Sequence, residues 1–342
     1  MKKNLTSQDI ARLAGVSQST VSRVIREHPS IKEKTREHVL RVIRAHGYTP
    51  SAAARQMKTN RSGAIAVVVA NLTNPLYPSL LHFLVNELAT QGLRTTVWEM
   101  STELDDITAR AIAESEVDGV IFATAVASSR LQHQKIAARK PVVFINRSLM
   151  GPEFDVVVSD NHAGGKTVAD YFLAGKRRRI GLLTGASEAS TILDRERGFM
   201  SRLKDATGNM TCTRSPSRFD IFTYENGYQA MCELLQADPG LDAVFCTNDI
   251  VAIGALDGAR AQGRRVPEDL WIVGYDDIPM AGWDVIGLTT MRQPLPAMAS
   301  ETVERLLARI ERPDLPAETV TLPNQLIIRN TTKQIGPRRG KR

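Results

Sequence analysis

From Ala64 onward the chain alternates short apolar runs of strand length with longer stretches of helical periodicity, and this alternation restricts the fold more than any other feature of its 342 residues. The strand-like runs are Ala64–Ala70, Arg94–Glu99, Val117–Ala123, Pro141–Ile145, Ile180–Thr184, Ala243–Thr247 and Leu270–Gly274. A crossover helix between two strands returns the chain in the same direction, so this pattern predicts parallel sheets with helices on both faces. One series of runs finishes near Asp160-Asn161, where a second begins, and the chain returns to the first after Met291-Arg292-Gln293-Pro294. The expected body is two α/β lobes, with ligand chemistry at the carboxyl ends of their strands.

The first sixty residues obey a different periodicity. Thr6 or Ser7 can cap a helix through Ala14, with Ile10, Leu13 and Ala14 on one face and Gly15 as its stop. Ser17 can cap a second helix whose Val21, Val24 and Ile25 face inward, leaving Gln18, Ser19, Ser22, Arg23 and Arg26 outside. A third helix is expected from about Ser30 to His46, ended by Gly47. A tight glycine-containing turn between the first two is what a DNA-reading helix-turn-helix requires. Gln18 can pair with adenine and Arg23 with guanine, while Ser17, Ser19, Thr20 and Ser22 can contact phosphates or bases. Charge agrees: residues 1–62 hold thirteen Lys and Arg against four Asp and Glu, a net of +9, so within a total of +7 the remaining residues sum to −2. A basic head on a near-neutral body suits a polyanionic partner. A three-helix bundle with a merely solvated basic face would share these features.

The segment Asp9-Ile10-Ala11-Arg12-Leu13-Ala14-Gly15-Val16-Ser17-Gln18-Ser19-Thr20-Val21-Ser22-Arg23-Val24-Ile25 closely resembles the head of the lac-repressor (LacI/GalR) family. The resemblance continues through Gly47-Tyr48-Thr49-Pro50-Ser51-Ala52-Ala53-Ala54-Arg55-Gln56-Met57-Lys58 and covers essentially the whole chain. It implies a small all-α helix-turn-helix head at 1–49, a hinge helix and linker at 50–61, and an α/β periplasmic-binding-protein-like body at 62–342 that binds effector and dimerises. One lobe would comprise about 62–160 and 292–320, the other about 161–291 and 321–336. Two turns of hinge helix are marginal alone and need a symmetry mate and DNA to form. Met57 stands at the family's usual leucine, which wedges open a minor-groove base step, and Ala53 is small enough for close pairing. The implied DNA-binding set is therefore Thr6, Ser17, Gln18, Ser19, Thr20, Ser22, Arg23, Arg26, Tyr48, Ser51, Ala53, Arg55, Met57 and Lys58.

The implied effector set is Tyr77, Asn146, Asp160, Arg195, Phe222, Asn248 and Asp276. Carboxylates accept from hydroxyls, a guanidinium donates to a ring oxygen or carboxylate, and aromatic rings stack on apolar sugar faces, so this set suits a sugar or sugar acid. Asn146 replaces the aspartate usual in the family's Asp-Arg pair, which makes that contact neutral. Taken singly, each of these residues fits a cap, an ion pair or the core equally well.

No apolar run approaches the ~18–20 residues of a membrane-spanning helix, and Met1–Thr6 has no apolar run behind it, so a cytoplasmic protein without membrane contact is expected. Cys212, Cys232 and Cys246 have no metal-binding or disulfide spacing, and no cofactor or metal is expected. Arg177-Arg178-Arg179 reads as a solvated loop before a strand. Pro337-Arg338-Arg339-Gly340-Lys341-Arg342 lacks the heptads of a tetramerising coiled coil, leaving a homodimer on a pseudo-palindromic duplex operator as the expected assembly. The expected protein is a regulator, a repressor in the first reading, that a small-molecule effector either releases from DNA or, as a corepressor, holds there; an activating regulator of the same family is the alternative. A sugar-processing enzyme using Asp160 and Asp276 as acid and base, or a transport-binding protein, would share the cleft. Neither needs a basic recognition helix, and the chain carries no P-loop, G-x-S-x-G or H-E-x-x-H motif.

Overall fold

A computed structural model describes residues 5–25, 28–48, 61–69, 71–100, 104–125, 127–148, 153–185, 189–206, 210–215 and 222–333. The chain divides into two compact units, residues 1–63 and 64–342.

In the first unit α1 (Ser7–Leu13), α2 (Gln18–Ile25) and α3 (Glu33–Ala45) close around Ile10, Val21, Val24 and Val39, all buried. Thr6 is the cap of α1: its Oγ1 accepts from the Asp9 amide at 3.3 Å, and Asp9 Oδ2 accepts from the Thr6 amide at 2.9 Å. This reciprocal box satisfies two of the amides that every helix start leaves open. Gly15 turns the chain at φ +63°, a conformation that costs a side-chain-bearing residue more than glycine. Ser17 Oγ then accepts from the Thr20 amide at 3.1 Å and opens α2. The third helix starts at Glu33 rather than Ser30, because Ser30 Oγ is engaged with His28 Nδ1 at 2.8 Å in the preceding turn.

The second unit has two six-stranded sheets. The first lobe holds β1 (Ala64–Val69), β2 (Arg94–Glu99), β3 (Gly119–Phe122), β4 (Val142–Ile145), β5 (Asp155–Ser159) and β11 (Thr319–Leu322) in the order β11-β5-β4-β3-β1-β2, every pair parallel. Helices α4 (Leu76–Thr90), α5 (Asp106–Glu114), α6 (Arg130–Ala137) and α11 (Leu295–Glu311) belong to it. The second lobe holds β6 (Arg179–Leu183), β7 (Thr211–Arg214), β8 (Ala243–Cys246), β9 (Trp271–Asp276), β10 (Thr289–Arg292) and β12 (Gln325–Ile327) in the order β12-β10-β9-β8-β6-β7, with only β12 antiparallel. Its helices are α7 (Asn161–Ala174), α8 (Ser190–Lys204), α9 (Tyr224–Ala237) and α10 (Asp249–Ala261). Central strands such as β1 and β9 are buried along their whole length, as both-faced burial demands, whereas edge strand β2 has no buried residue.

Three segments cross between the lobes: Ser159 to Asn161, Arg292 to Leu295, and Leu322 to Gln325. Arg292 thus closes a second-lobe strand and Leu322 a first-lobe strand, a shift of one or two residues from the boundaries expected at 292 and 321. Strands β5, β7, β10, β11 and β12 fall outside the seven apolar runs. Four of them are short and rich in Thr, Arg or Gln, and β5 has a polar residue at each end, so pairing rather than hydrophobicity defines them. Of the three arginines at the start of β6, Arg177 lies with its guanidinium 4.3 Å from the Trp271 ring centre, exposed Arg178 is held only by its backbone amide, which donates to Asp242, and exposed Arg179 opens the strand and pairs with Asp238.

Glycines set the spacing of the second-lobe helices. A Cβ on Gly198 of α8 would lie 1.9 Å from the His162 carbonyl oxygen of α7, and one on Gly165 of α7 would lie 2.1 Å from the Arg195 carbonyl oxygen of α8. Gly227 and Gly254 repeat the device between α9 and α10. Backbone therefore touches backbone, which brings Asn161 at the start of α7 against Arg195 on α8.

Gly198→Ala is expected to destabilise the α/β body by about 1–3 kcal/mol, because rigid backbone must retreat from the new methyl; urea titration of the body's unfolding transition checks this. The first lobe contains a second sensitive point in His133, whose ring is buried against Phe122 and Phe144, with Nδ1 2.7 Å from the Ser129 carbonyl. Burial brings its pKa down to about 4. A base depressed below its unfolded value of about 6.5 binds its proton more readily once unfolded, so its contribution to stability is complete above pH 6.5 and is lost as pH falls toward 4. His133→Leu should flatten the stability loss between those pH values, by on the order of 2–3 kcal/mol at the acid end, in denaturant titrations at each pH.

Candidate functional site

On the head, Gln18, Ser19 and Arg23 of α2 are exposed together with Ser17, while Thr20 and Ser22 are half-buried. The Gln18 amide donates to Ser7 Oγ at 2.9 Å, which fixes its angle to α1. Ser17 Oγ lies 2.7 Å from Ser19 Oγ and 2.8 Å from Thr20 Oγ1, so hydroxyls cluster where the helix start concentrates positive potential, a suitable seat for a phosphate. Thr6 is exposed and committed to its cap, and Tyr48 packs against the head core. Arg26, Ser51, Ala53, Arg55, Met57 and Lys58 lie outside the described residues.

In the body, the second-lobe strands β8, β9 and β10 end together, and their ends carry the polar cluster. Arg195, 2% exposed, reaches in from α8. Its Nε donates to Asn161 Oδ1 at 2.8 Å, its Nη1 to the Thr247 carbonyl at 2.7 Å, and its Nη2 pairs with Asp276 Oδ1 at 2.9 Å. The guanidinium lies 3.8 Å from the centre of the Tyr275 ring, a cation–π contact in a desolvated setting. Asp276 adopts φ +117° and is buried, and Gln293 Nε2 donates to its Oδ1 at 2.8 Å. Burial raises the Asp276 pKa above the ordinary carboxylate value, against the opposing pull of Arg195.

Gln293 also accepts from Ser159 Oγ at 2.8 Å, so one side chain on the second crossover ties the first crossover to the ion pair. The third crossover joins through Asn324, whose Nδ2 donates to the Asp160 carbonyl at 2.9 Å and to Tyr275 Oη at 2.7 Å. Beside this cluster Asp249 accepts from Thr290 Oγ1 at 2.5 Å and from the Ile278 amide at 2.9 Å. Its pKa is pushed up to about 8 by complete burial and, next, by the charge of Asp276.

The seven expected effector residues do not all sit alike. Arg195 and Asp276 are in direct contact. Asp160 and Asn248 cap α7 and α10, accepting from the Ala163 amide at 2.8 Å and the Val251 amide at 3.0 Å. Asn146 follows β4 at φ +71°, and its buried Oδ1 has no partner among the described residues. Thr184 Oγ1 and Ser215 Oγ, just past β6 and β7, are in the same condition, so unpartnered polar atoms collect at strand ends of both lobes. Tyr77 is buried in an apolar cluster on α4, and Phe222 packs half-buried against that cluster. A cavity of about 620 Å³ runs from Ser79, His82 and Phe83 of α4 to Asp276 and Gln293, and of the seven expected effector residues Asp276 alone lines it.

Gln293, Asn161 and Asp249 also belong to this site: Asn161 and Asp249 adjoin the expected Asp160 and Asn248 in the same motifs, and Gln293 is the polar residue before Pro294 where the chain changes lobe.

Residues 6–51 match the family described as bacterial regulatory proteins, lacI family, and residues 169–332 match the periplasmic binding protein-like domain. The ribose operon repressor of Bacillus subtilis is 32% identical over 96% of this chain and 99% of its own. A solved complex of the transcriptional regulator CelR with cellobiose is 28% identical, covers 96% of this chain and 99% of that one, and superposes with a TM-score of 0.69. The Lac repressor dimer bound to operator shares the fold, with a TM-score of 0.85 at 23% identity over 96% of this chain and 99% of that one. A basic helix-turn-helix unit, two crossed α/β lobes and this full-length similarity lead to one conclusion: the chain belongs to the LacI family of bacterial regulatory proteins.

Proposed function

We propose that this DNA-binding transcriptional regulator works as a cytoplasmic homodimeric repressor of a pseudo-palindromic operator, controlled by a sugar or sugar acid bound between its lobes. The observation that carries the reading is the chain of contacts Arg195–Asp276–Gln293–Ser159, in which the polar groups of the cleft are hydrogen-bonded directly to the crossovers. Three of the five N–H groups of Arg195 are placed by the protein, and both contacts to Asp276 fall on Oδ1. Donors and acceptors therefore remain for ligand hydroxyls, alongside Asn146 from the first lobe. A ligand that competes for Asp276 changes the partner of Gln293, and with it the relative stability of two lobe arrangements. In the proposed mechanism those arrangements differ in whether two hinge segments, with Ala53 and Met57, can pair on DNA.

The relatives named above are a repressor and a regulator complexed with cellobiose, which supports regulation and a carbohydrate effector. The enzyme reading is weakened by local bonding: Asp160 caps a helix and Asp276 is bound to Arg195 and Gln293, so neither is poised as a free acid or base. Among the described residues no helix is long and apolar enough to cross a membrane.

Selection from a random duplex pool should return a pseudo-palindrome with half-sites about one helical turn apart. On that duplex Arg23→Ala should cost about 1–3 kcal/mol of specific affinity while leaving ligand-induced thermal shifts intact. Arg195→Ala, which leaves Asp276 buried without its cation, should abolish the ligand response and lower the melting temperature of the body. If both variants change DNA affinity alone, the cleft is not the control site; the sign of the ligand's effect on DNA binding separates inducer from corepressor.

A further inference from the structure

The segment Asn146-Arg147-Ser148, which leaves β4 of the first lobe, reaches the second lobe directly: the Ser148 amide donates to Ser190 Oγ, at the start of α8, at 3.1 Å. Arg147 therefore stands at the strand ends between the lobes, and its charge acts on Asp276 on the far side. Its own contacts are few. Nη1 lies 3.5 Å from Thr124 Oγ1, at the limit of a hydrogen bond, and Nε is shielded from water with no acceptor among the described residues. Among the described residues no carboxylate pairs with Arg147 either.

The carboxylates at these strand ends are already committed. Asp276 pairs with Arg195, Asp277 with Arg292 and Arg329, and Glu196 with Arg214. Asp160 caps α7, and in the first lobe Glu99, at the end of edge strand β2, accepts from the Leu72 amide at 3.0 Å. Asp249, with a pKa of about 8, is largely protonated at neutral pH. Other polar atoms without partners here are neutral: Asn146, 3% exposed, presents Oδ1 beside Arg147, and Thr184 and Ser215 present hydroxyls at the ends of β6 and β7. A guanidinium fork matches a carboxylate, while an amide oxygen and hydroxyls match ligand O–H groups.

We propose that the cleft takes a polyhydroxy carboxylate, an aldonate or uronate rather than a neutral sugar, and that Arg147 selects it by pairing with the ligand carboxylate. This rests on the reading of the cleft as a carbohydrate effector site and narrows it. A neutral sugar would dehydrate the Arg147 guanidinium and leave its charge without a counter-ion, which is costly, whereas a carboxylate supplies the counter-ion and two acceptor oxygens. A phosphate monoester carries close to two negative charges at neutral pH, more than one uncompensated cation balances.

The test is calorimetric titration of the full chain with matched pairs: D-gluconate against D-sorbitol, D-glucuronate against D-glucose, and D-galacturonate against D-galactose, with glucosyl phosphate as a third class. At least one acid should bind about tenfold or more tightly than its neutral counterpart. Arg147→Gln should weaken that acid roughly ten- to hundredfold, the range for hydrogen bonds to charged groups, and Arg147→Lys, which keeps the charge, should recover part of the loss. Any binding of the neutral counterpart should change little, and the unliganded variants should melt at the temperature of the unmodified protein, since Arg147 makes one weak contact among the described residues. The proposal is overturned if a neutral sugar binds as tightly as its acid, or if Arg147→Gln weakens both members of a pair equally; either result leaves the carbohydrate reading standing. Tighter binding of the phosphate ester would overturn it in favour of a phosphorylated ligand. If neither acids nor neutral sugars bind, the carbohydrate reading itself falls and this narrowing falls with it.

Discussion

The buried ion pair between Arg195 and Asp276 is the constraint around which the body is arranged. A guanidinium and a carboxylate, 2% and 3% exposed, are expensive to desolvate, and a buried pair of this kind adds little net stability over apolar replacements, whereas leaving one charge alone costs about 3–5 kcal/mol. Every neighbour serves to satisfy them: Asn161, the Thr247 carbonyl, Gln293 and the Tyr275 ring. Those partners come from a helix start, the segment after β8 and the strand β9, all in the second lobe, and from Gln293 on a crossover, which alone carries the pair to the connection between the lobes. A polar cluster that is costly unless complete is also one that a competing ligand can rearrange.

Packing upstream of the pair is equally restrictive. Arg195 can reach Asn161 because α7 and α8 touch backbone to backbone at Gly165 and Gly198. Larger residues would separate the helices and move the guanidinium away from Asp276. The crossovers gain their coupling in the same way, by short hydrogen bonds from Gln293 and Asn324 that connect segments remote in sequence.

Much of the architecture is legible in the sequence because its cause is local. The head follows from helical periodicity, the Thr6, Gly15 and Ser17 punctuation and its charge; central strands such as β1, β3, β4 and β8 are apolar enough to be recognised alone. What escaped has a tertiary cause. Strands such as β7 and β10 are polar and exist because a neighbour pairs with them. Arg195 and Asp276 carry the family's local motifs, but Asn161, Gln293 and the two glycines acquire their roles only when distant segments meet. Tyr77 shows the reverse, an aromatic residue in a recognisable loop motif whose ring is buried in an apolar cluster.

The central claim is that the cleft is linked to lobe orientation through Gln293. The most direct measurement is the distance between a label on exposed Ile107 of the first lobe and one on Arg197 of the second, read by electron spin resonance while ribose, cellobiose and related sugars are titrated. A sugar that binds the unmodified protein should shift that distance, and at saturating sugar Gln293→Leu should leave the distance unchanged. An equal shift in both proteins would show that lobe movement does not pass through this side chain and would contradict the account.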